Sequence, residues 1–201
     1  MSVLVAYASS HGSTREIAER IKTRLALILS PTTVECSLIE SVPQLSGTQQ
    51  PYSAIVLGSA IHAGRWISPA RNFLRRNGQF LSGVSKTNGA PVNGSPVPVP
   101  PVWAFSVGMP TTDKNLETEK ASIEKQLKYY LTGETLRGHA LFRGVMDPQS
   151  LPWIIRVPMS WFVKKEDTLS GDQRDWNLIE AWAQEVGDAI KVGRDDHYVF
   201  S

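Results

Sequence analysis

Three short segments carry the residue types that could do chemistry. The first is Ser9-Ser10-His11-Gly12-Ser13-Thr14, with four hydroxyls and a glycine. At the start of a helix, free backbone N–H groups and the helix dipole make such a loop an anion site. The hydroxyls add donors for phosphate oxygens, and Gly12 lets the backbone approach closely. The loop has neither the GxxxxGK[ST] pattern nor GxGxxG, so it is neither a Walker loop nor a dinucleotide fingerprint. A loop without lysine suits a phosphate monoester held by backbone and hydroxyls.

The second segment is Gly58-Ser59-Ala60-Ile61-His62-Ala63-Gly64-Arg65-Trp66. Its glycines and small residues could wrap a flat ring, with Ala60, Ile61, His62, Ala63, Gly64, Arg65 and Trp66 in contact. Trp66 could stack on that ring. His62 could bond its edge or protonate a substrate. These two are the candidate catalytic residues. The third segment, Ser106-Val107-Gly108-Met109 before Pro110, could offer backbone donors to the far edge of the same ring.

The elements around these segments give them a common place. Val3 to Tyr7 is a short apolar run, and a helix follows it. Ile17, Ile21, Leu25 and Ile28 recur at helical spacing. Ser13 and Glu16 have capping-box spacing, which sets the predicted helix start at Ser13. Val34 to Ile39 is a second strand. Ala54-Ile55-Val56-Leu57 is a third, continuous in apolar residues as a strand buried on both faces should be. Ser68-Pro69 reads as N-cap and first helical residue of a helix to about Asn77. Val102 to Val107 is a fourth strand, Lys114 to Leu131 a helix, Ala140 to Val145 a fifth strand, and Trp176 to Ile190 the last helix. The alternation predicts an open parallel α/β sheet. In such a sheet ligands bind at the carboxyl ends of the strands. All three segments follow strands there.

Two stretches break the rhythm. Residues 84–101 form a Pro- and Gly-rich surface insertion. Residues 146–175 form an apolar and basic insertion between the fifth strand and the last helix, rich in Trp, Ile, Val and Pro. Otherwise the 201 residues read as a single domain, without internal repeats.

Composition excludes several classes. The chain is 41% hydrophobic and 20% charged, an ordinary globular balance. A net charge of +2 does not argue for nucleic acid. The charge is uneven: residues 166–201 hold nine acids and three bases, so the rest of the chain is basic. No run reaches the length of a membrane span, and the start has no basic leader, so a cytoplasmic location is expected. Cys36 is the only cysteine, which rules out an internal disulfide. It reads as a buried structural thiol within a strand. His139 reads as a surface residue before the fifth strand. His197 lies in the C-terminal tail without partner ligands at metal spacing, and no metal is expected.

The pattern Ser9-x-x-Gly12-x-Thr14 after the first strand resembles the phosphate loop of flavodoxins. Together with Gly58-Ser59-Ala60-Ile61-His62-Ala63-Gly64 it is similar to a narrower group, the flavodoxin-like menaquinone-dependent protoporphyrinogen oxidases and related FMN oxidoreductases. That group also carries an aromatic- and Arg-rich stretch late in the chain. Here Phe142-Arg143-Gly144 leads to Trp153-Ile154-Ile155-Arg156, then to Gly171-Asp172 and Asp175-Trp176. Two positions depart from the pattern: His11 stands where flavodoxins often have Thr, and His62 where the oxidases tend to have Arg.

The resemblance implies a flavodoxin-like, open, doubly wound five-stranded parallel sheet with helices on both faces. It implies FMN, its phosphate held by Ser9, Ser10, His11, Gly12, Ser13 and Thr14. Ala60 to Trp66 would cover one part of the isoalloxazine and Ser106 to Met109 the other. The expected function is an FMN-dependent oxidoreductase acting on a small apolar aromatic substrate, such as a quinone or porphyrinogen. Residues 146–170 would close over the site, dock on a membrane surface through 151–165, or simply pack. The alternative is an electron-transfer flavodoxin serving protein partners. A sequence pI near 8.7 departs from the acidity of such carriers. A flavodoxin-fold module without flavin is the third reading. A receiver domain is disfavoured, because Gly58 stands where it needs an aspartate.

Overall fold

A computed structural model describes residues 2–45, 52–82, 99–109, 113–131, 134–146 and 171–198. The Pro-rich 83–98 and the residues 147–170 of the late insertion, including 151–165, lie outside the described residues.

Strand β1 (Ser2–Ala8) leads into α1 (Ser13–Ile28), β2 (Val34–Leu38), a short 3-10 turn (Ile39–Ser41) and β3 (Tyr52–His62). Then come β4 (Arg65–Trp66), α2 (Ser68–Leu81), β5 (Val102–Gly108) and α3 (Asp113–Tyr130). The described chain closes with β6 (Leu136–Arg143), β7 (Val145–Met146), β8 (Gly171–Asp172) and α4 (Trp176–Tyr198). The main strands are parallel in the order β2-β1-β3-β5-β6, and β4 folds back antiparallel on β3. The predicted doubly wound α/β sheet is therefore present. Parallel strands need crossover helices, and the side chosen by each crossover creates the crevice.

Alternation along the strands sends odd- and even-numbered side chains to opposite layers. Val3, Val5, Tyr7, Phe105 and Phe142 pack under α1 and α4, against Ile17, Ile21, Leu25, Ile179 and Val186. Leu4, Ala6, Ile55, Leu57 and Ala104 pack under α2 and α3, against Phe73, Leu74, Ile123 and Leu127. The chain thus switches layers between β1, followed by α1, and β3, followed by α2. Cys36 is half-buried against the first layer, and burial pushes its thiol up to about 11, the inert character expected of it.

Local chemistry moves several predicted boundaries. Helix α1 starts at Ser13 as expected, but the Ser13–Glu16 capping box does not form. Gly12 caps α1 in a left-handed conformation (φ 93°) without a side-chain cap bond. The Glu16 carboxylate instead meets Arg174 at 2.7 Å, tying the start of α1 to the segment before α4. Helix α2 is capped by Ile67 rather than Ser68, and it runs past Asn77 to Leu81. Asn77 is buried because its side chain is used twice, accepting from the Leu45 N–H (2.8 Å) and donating to the Phe73 carbonyl (3.0 Å). The fifth long strand begins at Leu136, not Ala140, and ends at Arg143. The Gly144 N–H turns to the Gly108 carbonyl (3.0 Å). Val145 and Met146 then pair antiparallel with Asp172 and Gly171, so the late insertion leaves and rejoins the domain through a two-stranded ribbon.

Candidate functional site

The site is built where the topology switches, at the carboxyl ends of β1 and β3, which run side by side to the Ala8–Ser59 pair. The loop from Ser9 to Thr14 is folded by its own hydroxyl. The Ser9 Oγ accepts the Gly12 N–H at 3.0 Å, which holds Gly12 in its left-handed turn. A Cβ at Gly12 would meet no neighbour, so the glycine serves backbone conformation there rather than close packing. Ser10 and His11 are exposed, and Ser13 is partly exposed.

Thr14, in the first turn of α1, is 1% exposed, and its Oγ1 is buried without a hydrogen-bond partner. The N–H groups of Ser13, Thr14 and Arg15 precede the first α-helical bond, which runs from Glu16 N–H to the Gly12 carbonyl at 3.1 Å. A buried orphan hydroxyl beside unpaired amides at the positive end of a helix fits a ligand phosphate oxygen.

The second predicted loop is largely not a loop. Strand β3 continues through His62, and Ala63-Gly64 makes a two-residue turn into β4. Both turn residues have positive φ, 50° and 69°, the left-handed pair that a tight hairpin needs. Gly58 sits inside the strand for a packing reason: a Cβ there would come within 2.0 Å of the Phe105 ring. His62 and Ala63 lie exposed at the hairpin tip, with Ile61 and Gly64 partly so. The His62 ring stands 6.2 Å from that of His11, so the hairpin and the phosphate loop meet over the strand ends.

Trp66 is the clearest departure from expectation. It is 3% exposed and packs in the α2/α3 layer. Its Nε1 donates to Ser106 Oγ at 2.7 Å, and Ser106 Oγ lies 2.8 Å from His139 Nε2. Ser106 is thus fully buried and spent on this bond, not free for a ligand. Val107 is likewise held in the sheet, paired to Ala60 on one side and Phe142 on the other. Of the third segment, Gly108 and Met109 remain at the strand end where a ligand could reach.

His139, expected at the surface, is the buried centre of this chain of bonds. Its side chain is 2% exposed, and Nδ1 lies 3.5 Å from Glu124 of α3. Burial pushes its pKa down to about 4, more than Glu124 raises it, so the ring is neutral at pH 7. An indole N–H only donates, so Ser106 Oγ accepts from Trp66; with two lone pairs and one proton it either donates to His139 Nε2 or accepts from it, according to the imidazole tautomer. Sequence reasoning missed this residue because a lone His beside a Gly reads as polar surface. The signal was register: His139 pairs with Ala104, whose side chain faces the same buried layer as Ser106.

Glu119 was missed as well. Its Oε2 lies 2.8 Å from where a Cβ on Gly108 would stand, with Ile61 Cδ1 3.4 Å from the same point. The carboxyl therefore caps the ends of β3 and β5, and burial raises its pKa. Helical spacing marks it only as a polar position on α3.

Residues 4–87 match the family model of the flavodoxin domain. The fold is flavodoxin-like. It is shared by an archaeal flavodoxin at 14% identity and TM-score 0.51, over 95% of this chain and 99% of that one. A short-chain flavodoxin associated with a non-canonical PDU bacterial microcompartment aligns at 11% identity and TM-score 0.56, over 94% and 99% of the two chains. A flavone reductase aligns at 10% identity and TM-score 0.56, over 95% of this chain and 63% of that one. No curated protein sequence matches the chain. The flavodoxin-domain match implies FMN, and the orphaned Thr14 hydroxyl in the loop after β1 fits its phosphate.

Proposed function

We propose that this chain is an FMN-dependent oxidoreductase acting on a small apolar aromatic substrate, a quinone or porphyrinogen-like compound. The observation that carries the reading is the buried, unpartnered Thr14 Oγ1 in a Gly12-turned loop at the topological switch point. FMN, when bound, supplies hydride or single-electron transfer, chemistry no side chain can perform.

The protein's part is positional. Ser9 holds the loop, Thr14 and the first-turn amides bind the phosphate, and the exposed Ser10, His11 and Ser13 complete its surround. The hairpin Ala60–Arg65 lines one side of the ring site, and His62 at its tip is the hydrogen-bonding or proton-donating group. Gly108 and Met109 line the other side. The Glu119 carboxyl, next to the ends of both strands, keeps its proton to higher pH than an ordinary carboxyl because it is partly buried. Trp66 acts from beneath, as the residue that fixes the hairpin to β5.

The flavodoxin-domain match also favours single-electron delivery to a protein partner. That a flavone reductase shares the fold supports reduction of a small aromatic compound by this architecture. Purified protein decides the first point: a yellow protein that releases FMN on denaturation is expected, and a colourless protein that takes up no added FMN contradicts the proposal. Reoxidation of the reduced protein decides the second. Rapid turnover with small quinones is expected. Slow quinone reaction with rapid exchange to a redox protein would replace the enzyme reading with the carrier.

A further inference from the structure

We propose that the groove behind the hairpin, between β4, α2 and α3, is a second ligand site, built for a planar aromatic anion. It is a cavity of about 580 Å³. Small-molecule sites fall in the range of roughly 300–1,000 Å³. Its floor is apolar, made by buried Trp66, Leu74 and Leu127. Its rim carries three cations from three different elements: Arg65 from the hairpin, Arg71 from α2 and Lys125 from α3.

Among the described residues no carboxylate lines the groove. Among the described residues none of the three cations is ion-paired. The only hydrogen bond of Arg71 there is to the neighbouring Ser68 Oγ, at 3.2 Å. The groove on the opposite face behaves differently. It is lined by Arg20 with Glu16 and Glu19, and Arg20 is bonded to Glu180 of α4. There the positive charge is answered by the protein itself. Behind the hairpin, the three cations have no ion-pair partner among the described residues, and a ligand anion would supply one.

The aromatic part of the ligand follows from Tyr129. It lines the groove, yet it is 82% exposed, and it meets Tyr130 edge-on at 4.9 Å. Its ring is held in place with a face unspent, beside an apolar floor and a cationic rim. A flat hydrocarbon bearing a carboxylate, sulfonate or phosphate satisfies all three at once.

The groove shares a wall with the candidate flavin site. Gln126 Nε2 donates to the Gly64 carbonyl at 2.9 Å, joining α3 to the turn whose other end is His62. A ligand in the groove therefore touches the element that shapes the flavin site, without entering it. The groove itself does not depend on the flavin reading.

The test is calorimetric titration, at low salt, of the purified full chain saturated with FMN. The probes are 8-anilinonaphthalene-1-sulfonate and its uncharged parent, N-phenyl-1-naphthylamine. The sulfonate is expected to bind once per chain and more tightly than the neutral parent. Arg71→Glu with Lys125→Glu is expected to weaken the sulfonate by roughly tenfold or more and to leave the neutral probe nearly unchanged. Tyr129→Ala is expected to weaken both. All three residues are exposed, so the variants should keep the wild-type melting temperature, which is checked alongside. Sulfonate binding that ignores the charge reversal, or equal binding of the two probes, overturns the proposal. So does displacement of the sulfonate when FMN is added to flavin-free protein, which would put it in the flavin site. A chain that takes up no FMN but passes the charge-reversal test would sink the flavin reading and leave this one standing.

Discussion

The phosphate loop and the hairpin lie side by side over the strand ends, yet they treat their polar groups in opposite ways. In the loop, one hydroxyl closes the turn and another is buried with nothing to bond. In the hairpin, the buried Trp66 has its N–H matched by Ser106, whose hydroxyl also meets His139. Burying an unpaired hydroxyl costs about 1–3 kcal/mol, so a fold carries such a group only where something else repays it. The Trp66 N–H, by contrast, is satisfied within the fold and serves position. The difference separates an unpartnered hydroxyl at the head of α1 from an indole already satisfied inside the fold.

The largest expected effect comes from opening the closed side. Ser106→Ala leaves both the Trp66 N–H and the His139 Nε2 without their partner in the core. It should destabilise the protein by ~2–4 kcal/mol in chemical denaturation. If stability is unchanged, the hairpin is not held by this chain of bonds.

The next effect depends on pH. The folded pKa of His139, about 4, lies below its ordinary value of 6.5. Above both values the ring is neutral in folded and unfolded chains, and it contributes no pH dependence. As pH falls from 6.5 toward 4, the unfolded chain takes a proton that the folded one refuses. Stability should therefore drop across this window by ~1–3 kcal/mol. His139→Gln should flatten that limb of the stability–pH curve. A wild-type curve already flat between those values would mean the ring is accessible to protons in the folded state.

The smallest effect concerns the hairpin turn. Ala63 holds φ 50°, a conformation that costs a side chain about 1–2 kcal/mol and glycine little. Ala63→Gly should raise the melting temperature slightly, offset in part by the extra freedom of the unfolded chain. A clear fall would show that the methyl group is used in packing at the hairpin tip.

Much of the fold was legible in the sequence for a plain reason. Parallel strands buried on both faces are continuous apolar runs, and Val3–Tyr7 and Ala54–Leu57 are such runs. The helices were legible from apolar stripes such as Ile17, Ile21 and Leu25. The turn after β1 was legible too, because it is set locally by the Ser9 hydroxyl and Gly12. What escaped was non-local. Whether Trp66 faces a ligand or the core depends on a hydroxyl on β5, which lies 40 residues away in sequence. Whether His139 is surface or core depends on register against β5 and on Glu124 of a helix before it. The capping box failed for a similar reason: Arg174, 158 residues from Glu16, takes the carboxylate that the box requires.

The central claim is that Thr14 Oγ1 is kept unpaired for a phosphate. Thr14→Val removes the hydroxyl at nearly constant volume, and calorimetric titration of the flavin-free protein with FMN and with riboflavin tests it most directly. The account predicts that FMN binds the wild type far more tightly than riboflavin. In the variant, FMN should weaken by ~1–3 kcal/mol while riboflavin is unchanged, and the flavin-free variant should be no less stable than wild type. Equal loss for both ligands, or no loss for FMN, would contradict it.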